Sequence, residues 1–292
     1  MMDMVKLFTD SCSDLPCEIV RKYNITMLPT PVHFGEDIFL DRDNLSPAEF
    51  YRKIDESTEL PKTSQITPAV FMKAFKQALD EGYKVLSINF SSKLSGIFAA
   101  AVLAKENIGS DDIHVIDSRC ASVGFGMAVV KAAKLLKEGK DLSEVIETTL
   151  DYCSHMEHIF AVGSLEMLKR GGRIRKTTAF VGNILNIKPI LHFQDGEILP
   201  LNKVRGEKKM LQFLLDTMEE RGYRIKEQEV IGINHSANLA LAERLREMIK
   251  ERFGVNDFLI SEIGAAIGAH VGRNTVSVFF QNKDRVANPV VK

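Results

Sequence analysis

The sequence lacks a charge excess of either sign: 38 Lys and Arg face 39 Asp and Glu, a formal net charge of −1 over 292 residues. That balance removes the electrostatic drive for non-specific DNA or RNA binding, which shows as a strong basic excess. Nucleic acid is therefore not expected as a partner. Cysteine is scarce, and the four residues at 12, 17, 120 and 153 make no C-x-x-C pair and no zinc-ribbon or disulfide spacing. They are expected as reduced thiols in a cytoplasm. No basic segment followed by an apolar stretch opens the chain, so no signal peptide is expected. The longest weakly polar runs, residues 121–130 and 263–272, fall well short of the ~20 apolar residues of a membrane span.

The common phosphate and hydrolase signatures are missing as well. There is no G-x-x-x-x-G-K-[ST], and Gly124-Phe125-Gly126 continues to Val129 where a dinucleotide fingerprint requires Gly or Ala. Neither G-x-S-x-G nor H-E-x-x-H occurs. Nucleotide-using, classical hydrolase and zinc-protease readings lose their simplest support. Internal repeats and low-complexity linkers are absent too. What remains is 45% hydrophobic and 26% charged, long enough for two domains of roughly 100–200 residues and a core that needs neither disulfides nor structural metal.

The first half alternates short β-rich runs with helical patterns, the signature of a parallel sheet with crossover helices. Residues 5–9, 84–90 and 113–116 read as strands. They are followed by the loops Asp10-Ser11-Cys12-Ser13-Asp14, Ser91 to Gly96 and Asp117-Ser118, each leading to a helix. Ser46-Pro47-Ala48-Glu49 is a capping box, and Thr67-Pro68 opens a further helix that Gly82 closes. Ligands of open α/β sheets sit beyond the carboxyl ends of the strands, so these hydroxyl-bearing loops are the first candidates for a site. After a helix over 141–156 the pattern changes. Gln194-Asp195-Gly196 marks a hairpin, and helices and strands then follow as in an α+β domain. The reading is α/β with two domains: a Rossmann-like parallel-sheet domain over 1–162, an α+β domain over 163–281, and a loose tail over 282–292.

Cys153-Ser154-His155-Met156-Glu157-His158 offers three metal-ligand types in six residues, but the spacing suits a helix end better than a metal centre, and no metal is expected. Thr63, Ser64 and Gln65 precede a capped helix, and Ser91, Ser92 and Ser95 with Gly96 occupy a strand-to-helix turn. Together they make a neutral anion cradle, in which hydroxyls and backbone N–H groups can satisfy a carboxylate without a permanent positive charge. A serine there could instead be a nucleophile if a base lay within reach. His270, alone in a Gly-rich apolar segment, is the candidate base, so a Ser/His-dependent lipid hydrolase or acyltransferase stays open as an alternative. Basic residues gather at Lys169-Arg170-Gly171-Gly172-Arg173-Ile174-Arg175-Lys176 and again at Lys203, Arg205, Lys208 and Lys209, a pattern that suits a docking face.

In their order along residues 4–281, these segments resemble the bacterial DegV family of fatty acid-binding proteins. The residues that carry the resemblance are Thr9-Asp10-Ser11-Cys12-Ser13-Asp14-Leu15, Lys62-Thr63-Ser64-Gln65 with Thr67-Pro68, Ser91-Ser92-Lys93-Leu94-Ser95-Gly96, Ile116-Asp117-Ser118, Leu168 to Ile174, and Gly268-Ala269-His270-Val271-Gly272. The resemblance implies a long-chain fatty acid held in a tunnel between the two domains and no other cofactor. It implies that Thr63 and Ser95 hold the carboxylate, with Ser64, Ser92, Gly96 and His270 nearby, and that Arg170, Arg173 and Arg205 line the mouth or face a partner. That partner would be an ATP-dependent fatty acid kinase. The acyl phosphate would pass to phospholipid synthesis through transient contact with an acyltransferase or membrane surface, leaving this chain a carrier rather than an enzyme. The turn after His270 departs from the family pattern by carrying Arg273 and Asn274.

Overall fold

The strand-loop-helix alternation read from the sequence folds as a chain of crossover units, here in a computed structural model that describes residues 4–57, 59–174 and 186–292. The first part runs β1 (Val5–Asp10), α1 (Cys17–Lys22), β2 (Thr26–Leu28), β3 (Pro31–Phe34), β4 (Asp37–Leu40), α2 (Pro47–Glu56), β5 (Lys62–Thr63), α3 (Pro68–Asp80), β6 (Lys84–Asn89), α4 (Ile97–Ile108), β7 (Ile113–Asp117), α5 (Ser122–Lys137) and α6 (Leu142–Ser154). The second runs β8 (Met156–Ala161), α7 (Glu166–Arg170), β9 (Ile187–Gln194), β10 (Glu197–Arg205), α8 (Glu207–Arg221), β11 (Ile231–His235), α9 (Leu239–Phe253), β12 (Phe258–Glu262), α10 (Ala265–Val271), β13 (Val276–Gln281) and β14 (Val290–Val291). The α/β, two-domain reading holds.

Three sheets form. The first is ordered β14-β7-β6-β1-β2, with β7, β6, β1 and β2 parallel. The second, β10-β9-β8-β13-β11-β12, is mixed, with only β11 and β12 parallel. A small antiparallel sheet, β4-β3-β5, packs with α2 and α10 around Val32, Phe50, Tyr51 and Ala269. The capping box forms as expected: Ser46 Oγ accepts from Glu49 N at 3.3 Å, and Glu49 Oε2 accepts from Ser46 N at 3.0 Å. The β9–β10 hairpin also forms, its turn residues Asp195 and Gly196 at φ of 48° and 81°, as a right-twisted two-residue turn requires. Among the described residues no helix is long and apolar enough to cross a membrane.

Two sequence expectations are corrected. The helix expected to reach residue 156 stops at Ser154, and β8 begins at Met156 in the middle of the second sheet. The second sheet therefore starts before the boundary drawn at 162. All six β8 residues are buried, and a run buried on both faces has no alternation to distinguish it from a helix end. The tail is not loose either. Val290 and Val291 pair antiparallel with Asp117 and Ile116 at the edge of the first sheet.

Between the two large sheets lies α5, buried along most of its length. It contacts β1 on one side and β8, β11, β12 and β13 on the other, the environment that a helix apolar all round demands. Close approach depends on glycine. A Cβ at Gly126 would stand 2.6 Å from the Ser13 carbonyl oxygen, and one at Gly232 would stand 2.6 Å from Met127 Sδ. Backbone cannot swing aside as a side chain can. Gly126→Ala is expected to destabilise by about 2 kcal/mol in urea unfolding despite alanine's better helix propensity; a neutral or stabilising result would show that α5 can shift away from the first sheet.

Candidate functional site

The loops that follow β1, β6 and β7 meet where the first sheet faces the second, and buried carboxylates fix them. Asp10 Oδ1 accepts from Cys12 N at 3.1 Å, and its Oδ2 accepts from Phe90 N at 3.0 Å. Asp117 Oδ1 accepts from Ser92 N at 3.0 Å and Arg119 N at 3.2 Å. Burial pushes Asp10 up to about 6. These acids hold the loops and have no geometry for acting on a ligand.

Between the sheets and α10 is a cavity of about 160 Å³, roughly ten times the space one water requires. Its walls are mainly apolar, with Phe90, Ile97, Phe160, Phe193, Ile263 and Phe279 among them. Polar groups gather where β5, the β6–α4 turn and α10 converge. Thr63 Oγ1 and His270 Nε2 lie 2.8 Å apart. Ser64 Oγ lies 2.9 Å from His33 Nε2, and Ser95 Oγ accepts from Ile97 N at 3.3 Å at the start of α4. A side chain at Gly96 would collide with Gln65, so glycine lets the turn close against that amide.

His270 is neutral. Burial, helped by the nearby charge of Arg173, pushes its imidazole down to about 4. Its Nδ1 has no hydrogen-bond partner among the described residues, and a side chain at Gly171 would collide with that ring. Arg173 is half-buried in the cavity wall, donating Nε to Leu94 O at 3.2 Å. Among the described residues no carboxylate pairs with it. Among the described residues the site thus offers hydroxyls, a neutral imidazole and the Arg173 guanidinium with no carboxylate partner, an arrangement that suits a carboxylate.

Six of the residues singled out in the sequence come together here: Thr63, Ser64, Ser95, Gly96, His270 and Arg173 all line the cavity. Ser92 does not, its loop position being fixed by the Asp117 bond. Arg170 is 62% exposed and pairs with Glu166 one turn back on α7. Arg205 is exposed at the end of β10, also off the lining. Arg175 and Lys176 lie outside the described residues. Arg273, the departure after His270, turns away from the cavity to Asp55, 2.7 Å from Nε, and to Tyr51 O, 2.8 Å from Nη2.

Gln65, read from the sequence with Thr63 and Ser64, also lines the cavity, whereas sequence reasoning missed the second-sheet wall, including Asn234, Ser277 and the hairpin residues Phe193 and Ile198. The available signal was the every-second-residue alternation of β11 and β13. Among the described residues no group of three or more His, Cys, Asp or Glu is placed to hold a metal ion. His158 is instead a cavity wall: its ring stacks on Phe193 at 4.5 Å, Nε2 accepts from Ala121 N at 3.1 Å, and Nδ1 faces Met156 O at 2.9 Å.

Burial pushes His158 from 6.5 down to about 4. Between those values the unfolded imidazole takes a proton that the folded one refuses, so its contribution to stability falls as pH falls. Asp10 and Asp41, lifted by burial to about 6, act in the opposite direction because the folded state keeps their protons longer. The comparison is therefore between wild type and His158→Phe. Over pH 4–6.5 the variant's stability should fall less steeply on acidification, by up to about 1.4 kcal/mol per pH unit. Parallel urea-unfolding profiles would disprove a neutral, buried His158.

A model of the DegV family, described as uncharacterised proteins, matches residues 4–283. A fatty acid-binding protein from Thermotoga maritima is 34% identical over 278 residues, spanning 93% of this chain and 96% of that one. A DegV-family protein from Thermus thermophilus, described by its fatty acid binding, superimposes with a TM-score of 0.87 at 32% identity over 95% of this chain and 99% of its own. One from Ruminococcus gnavus, solved with vaccenic acid, gives 0.85 at 27% identity over 94% and 99%.

Proposed function

Since the chain belongs to the DegV family, we propose that it binds one long-chain fatty acid in the cavity between its sheets and carries it to an enzyme. The observation that carries this reading is the polarity of the cavity. Thr63, Ser95, His270 and Arg173 gather at one side, and most of the remaining wall is apolar. The carboxylate accepts from the Thr63 and Ser95 hydroxyls, with Ser64, Gly96, His270 and Arg173 beside it. Burying about 15 CH₂ groups at roughly 0.8 kcal/mol each contributes on the order of 12 kcal/mol before ordering costs. The chain supplies affinity and the hydroxyls supply orientation.

The carrier reading implies a partner enzyme. An ATP-dependent fatty acid kinase phosphorylates the presented carboxylate, and the acyl phosphate goes on to phospholipid synthesis. Hydroxyl donors leave the carboxylate oxygen nucleophilic, and exposed Arg170 and Arg205 offer cations to an acidic partner surface. Complex formation with the kinase should then weaken with added salt, and further with Arg205→Glu; salt-independent association would remove the electrostatic docking model. The Ser/His hydrolase alternative has less support. His270 Nε2 faces Thr63 rather than Ser95, and its Nδ1 has no orienting carboxylate among the described residues, so the triad geometry does not assemble.

Denaturing extraction of the freshly purified chain, followed by mass spectrometry of the organic phase, tests the function. One near-stoichiometric fatty acid is expected. No lipid, even after incubation with saturated and unsaturated acids, would overturn the reading.

A further inference from the structure

The second sheet presents two neighbouring rows of side chains to the cavity. Paired across β13 and β8, one row is Phe279 and His158; across β11, β13 and β8 the next is Asn234, Ser277 and Phe160. The first row, continued by Phe193 stacked on His158, is what a hydrocarbon chain needs. The second is not: it sets an amide beside a hydroxyl on the wall of a mainly apolar cavity.

Neighbouring groups satisfy this polar pair only in part. Asn234 is fully buried. It donates Nδ2 to Ser122 Oγ, whose own hydroxyl is committed to Asp14. Asn234 Oδ1 meets no donor among the described residues, and the Ser277 hydroxyl makes no hydrogen bond there either. A buried carbonyl oxygen left without a donor is costly, and a plain acyl chain laid across it offers none. A hydroxyl group would match both needs at once, donating its hydrogen to Asn234 Oδ1 and accepting from Ser277 Oγ.

We propose that the cavity prefers a fatty acid carrying a hydroxyl along its chain to the unsubstituted acid of the same length, with Asn234 and Ser277 as the residues that read it. The inference rests on the fatty-acid reading above and names the ligand class within it. The preference depends on position. A hydroxyl that falls against Phe160, Phe193 or Phe279 is desolvated without a partner and is rejected, whereas one that reaches the pair is retained.

The test is competition read by native mass spectrometry. The delipidated full-length chain is offered octadecanoic acid with an equal amount of a monohydroxy octadecanoic acid, repeated over a set differing only in the hydroxyl's position. At least one isomer should win by about tenfold, and Asn234→Leu and Ser277→Ala should each bring that ratio to about one. Octadecanoic acid winning against every isomer would overturn the proposal and assign the pair to an ordered water; so would a preference that survives both substitutions. Should Asn234→Leu fail to fold, Ser277→Ala decides, since its hydroxyl supports no other described residue. If the wild-type chain binds neither kind of acid, the fatty-acid reading itself fails, a result distinct from binding without preference.

Discussion

Replacing Asp14 with alanine is expected to destabilise the fold by about 3–5 kcal/mol, the range for breaking a buried ion pair from one side. Asp14 is fully buried where the three sheets meet. Its Oδ1 accepts from Arg42 Nη2 at 3.1 Å and from Gly264 N at 2.7 Å, and its Oδ2 accepts from Ser122. Those partners lie after β4, before α10 and at the start of α5, so one carboxylate ties together the first sheet, the small sheet and the second sheet. Burial pushes Asp14 up while Arg42 pulls it down. Truncation would leave the buried guanidinium of Arg42 facing Asp41 with its best partner gone. It would also put alanine at a φ of 51°, a left-handed conformation that Asp tolerates better. Asp14→Asn keeps an acceptor for Gly264 N and should fall between wild type and Asp14→Ala. Arg170→Ala, which breaks an exposed pair, should cost less than about 0.5 kcal/mol. Urea unfolding of the three variants decides the point: a cost below about 1 kcal/mol for Asp14→Ala would remove Asp14 as the junction.

The same junction shows what the sequence could disclose. Local chemistry was legible: Ser46 with Glu49, the Asp195-Gly196 turn, and the hydroxyl-bearing loops at the ends of β1, β6 and β7 all stand where residue type and spacing put them. Long-range packing was not. The weakly polar run at 121–130 is too short for a membrane, yet only the presence of two sheets makes it a central helix. β14 is two residues long, and its pairing with β7 leaves no trace in periodicity. In the site, Thr63 and His270 are separated by 207 residues. They meet because Asp14 and Asp41 accept from Gly264 N and Ala265 N at 2.7 and 2.8 Å and set the start of α10. Asn234 read only as a strand residue, because its meaning depends on which face of β11 meets the cavity.

The Thr63→Ala, Ser95→Ala double variant is expected to lose about 10²–10⁴-fold in fatty acid affinity. Hydrogen bonds to a charged group contribute about 1.5–3 kcal/mol each, and the proposed site would place two of them on one carboxylate. The loss should be specific to the head group, because the apolar walls that bury the chain are untouched. Wild type should therefore discriminate a fatty acid from the fatty alcohol of equal length, whereas the double variant should bind the two with similar Kd in titration calorimetry. Fold stability is a separate readout. Ser95 Oγ accepts from Ile97 N at the start of α4, so Ser95→Ala should cost about 1 kcal/mol as a lost hydrogen bond. Thr63→Ser, which keeps the hydroxyl within reach of His270 and the ligand, should restore most of the affinity. Unchanged affinity in the double variant would move the carboxylate elsewhere in the cavity, and Arg173 would be the first group to test. If acid and alcohol fell in parallel, the substitutions would have disturbed the chain's channel rather than its head group. Only selective loss of the acid assigns the two hydroxyls to orientation and leaves the apolar cavity walls as the source of affinity.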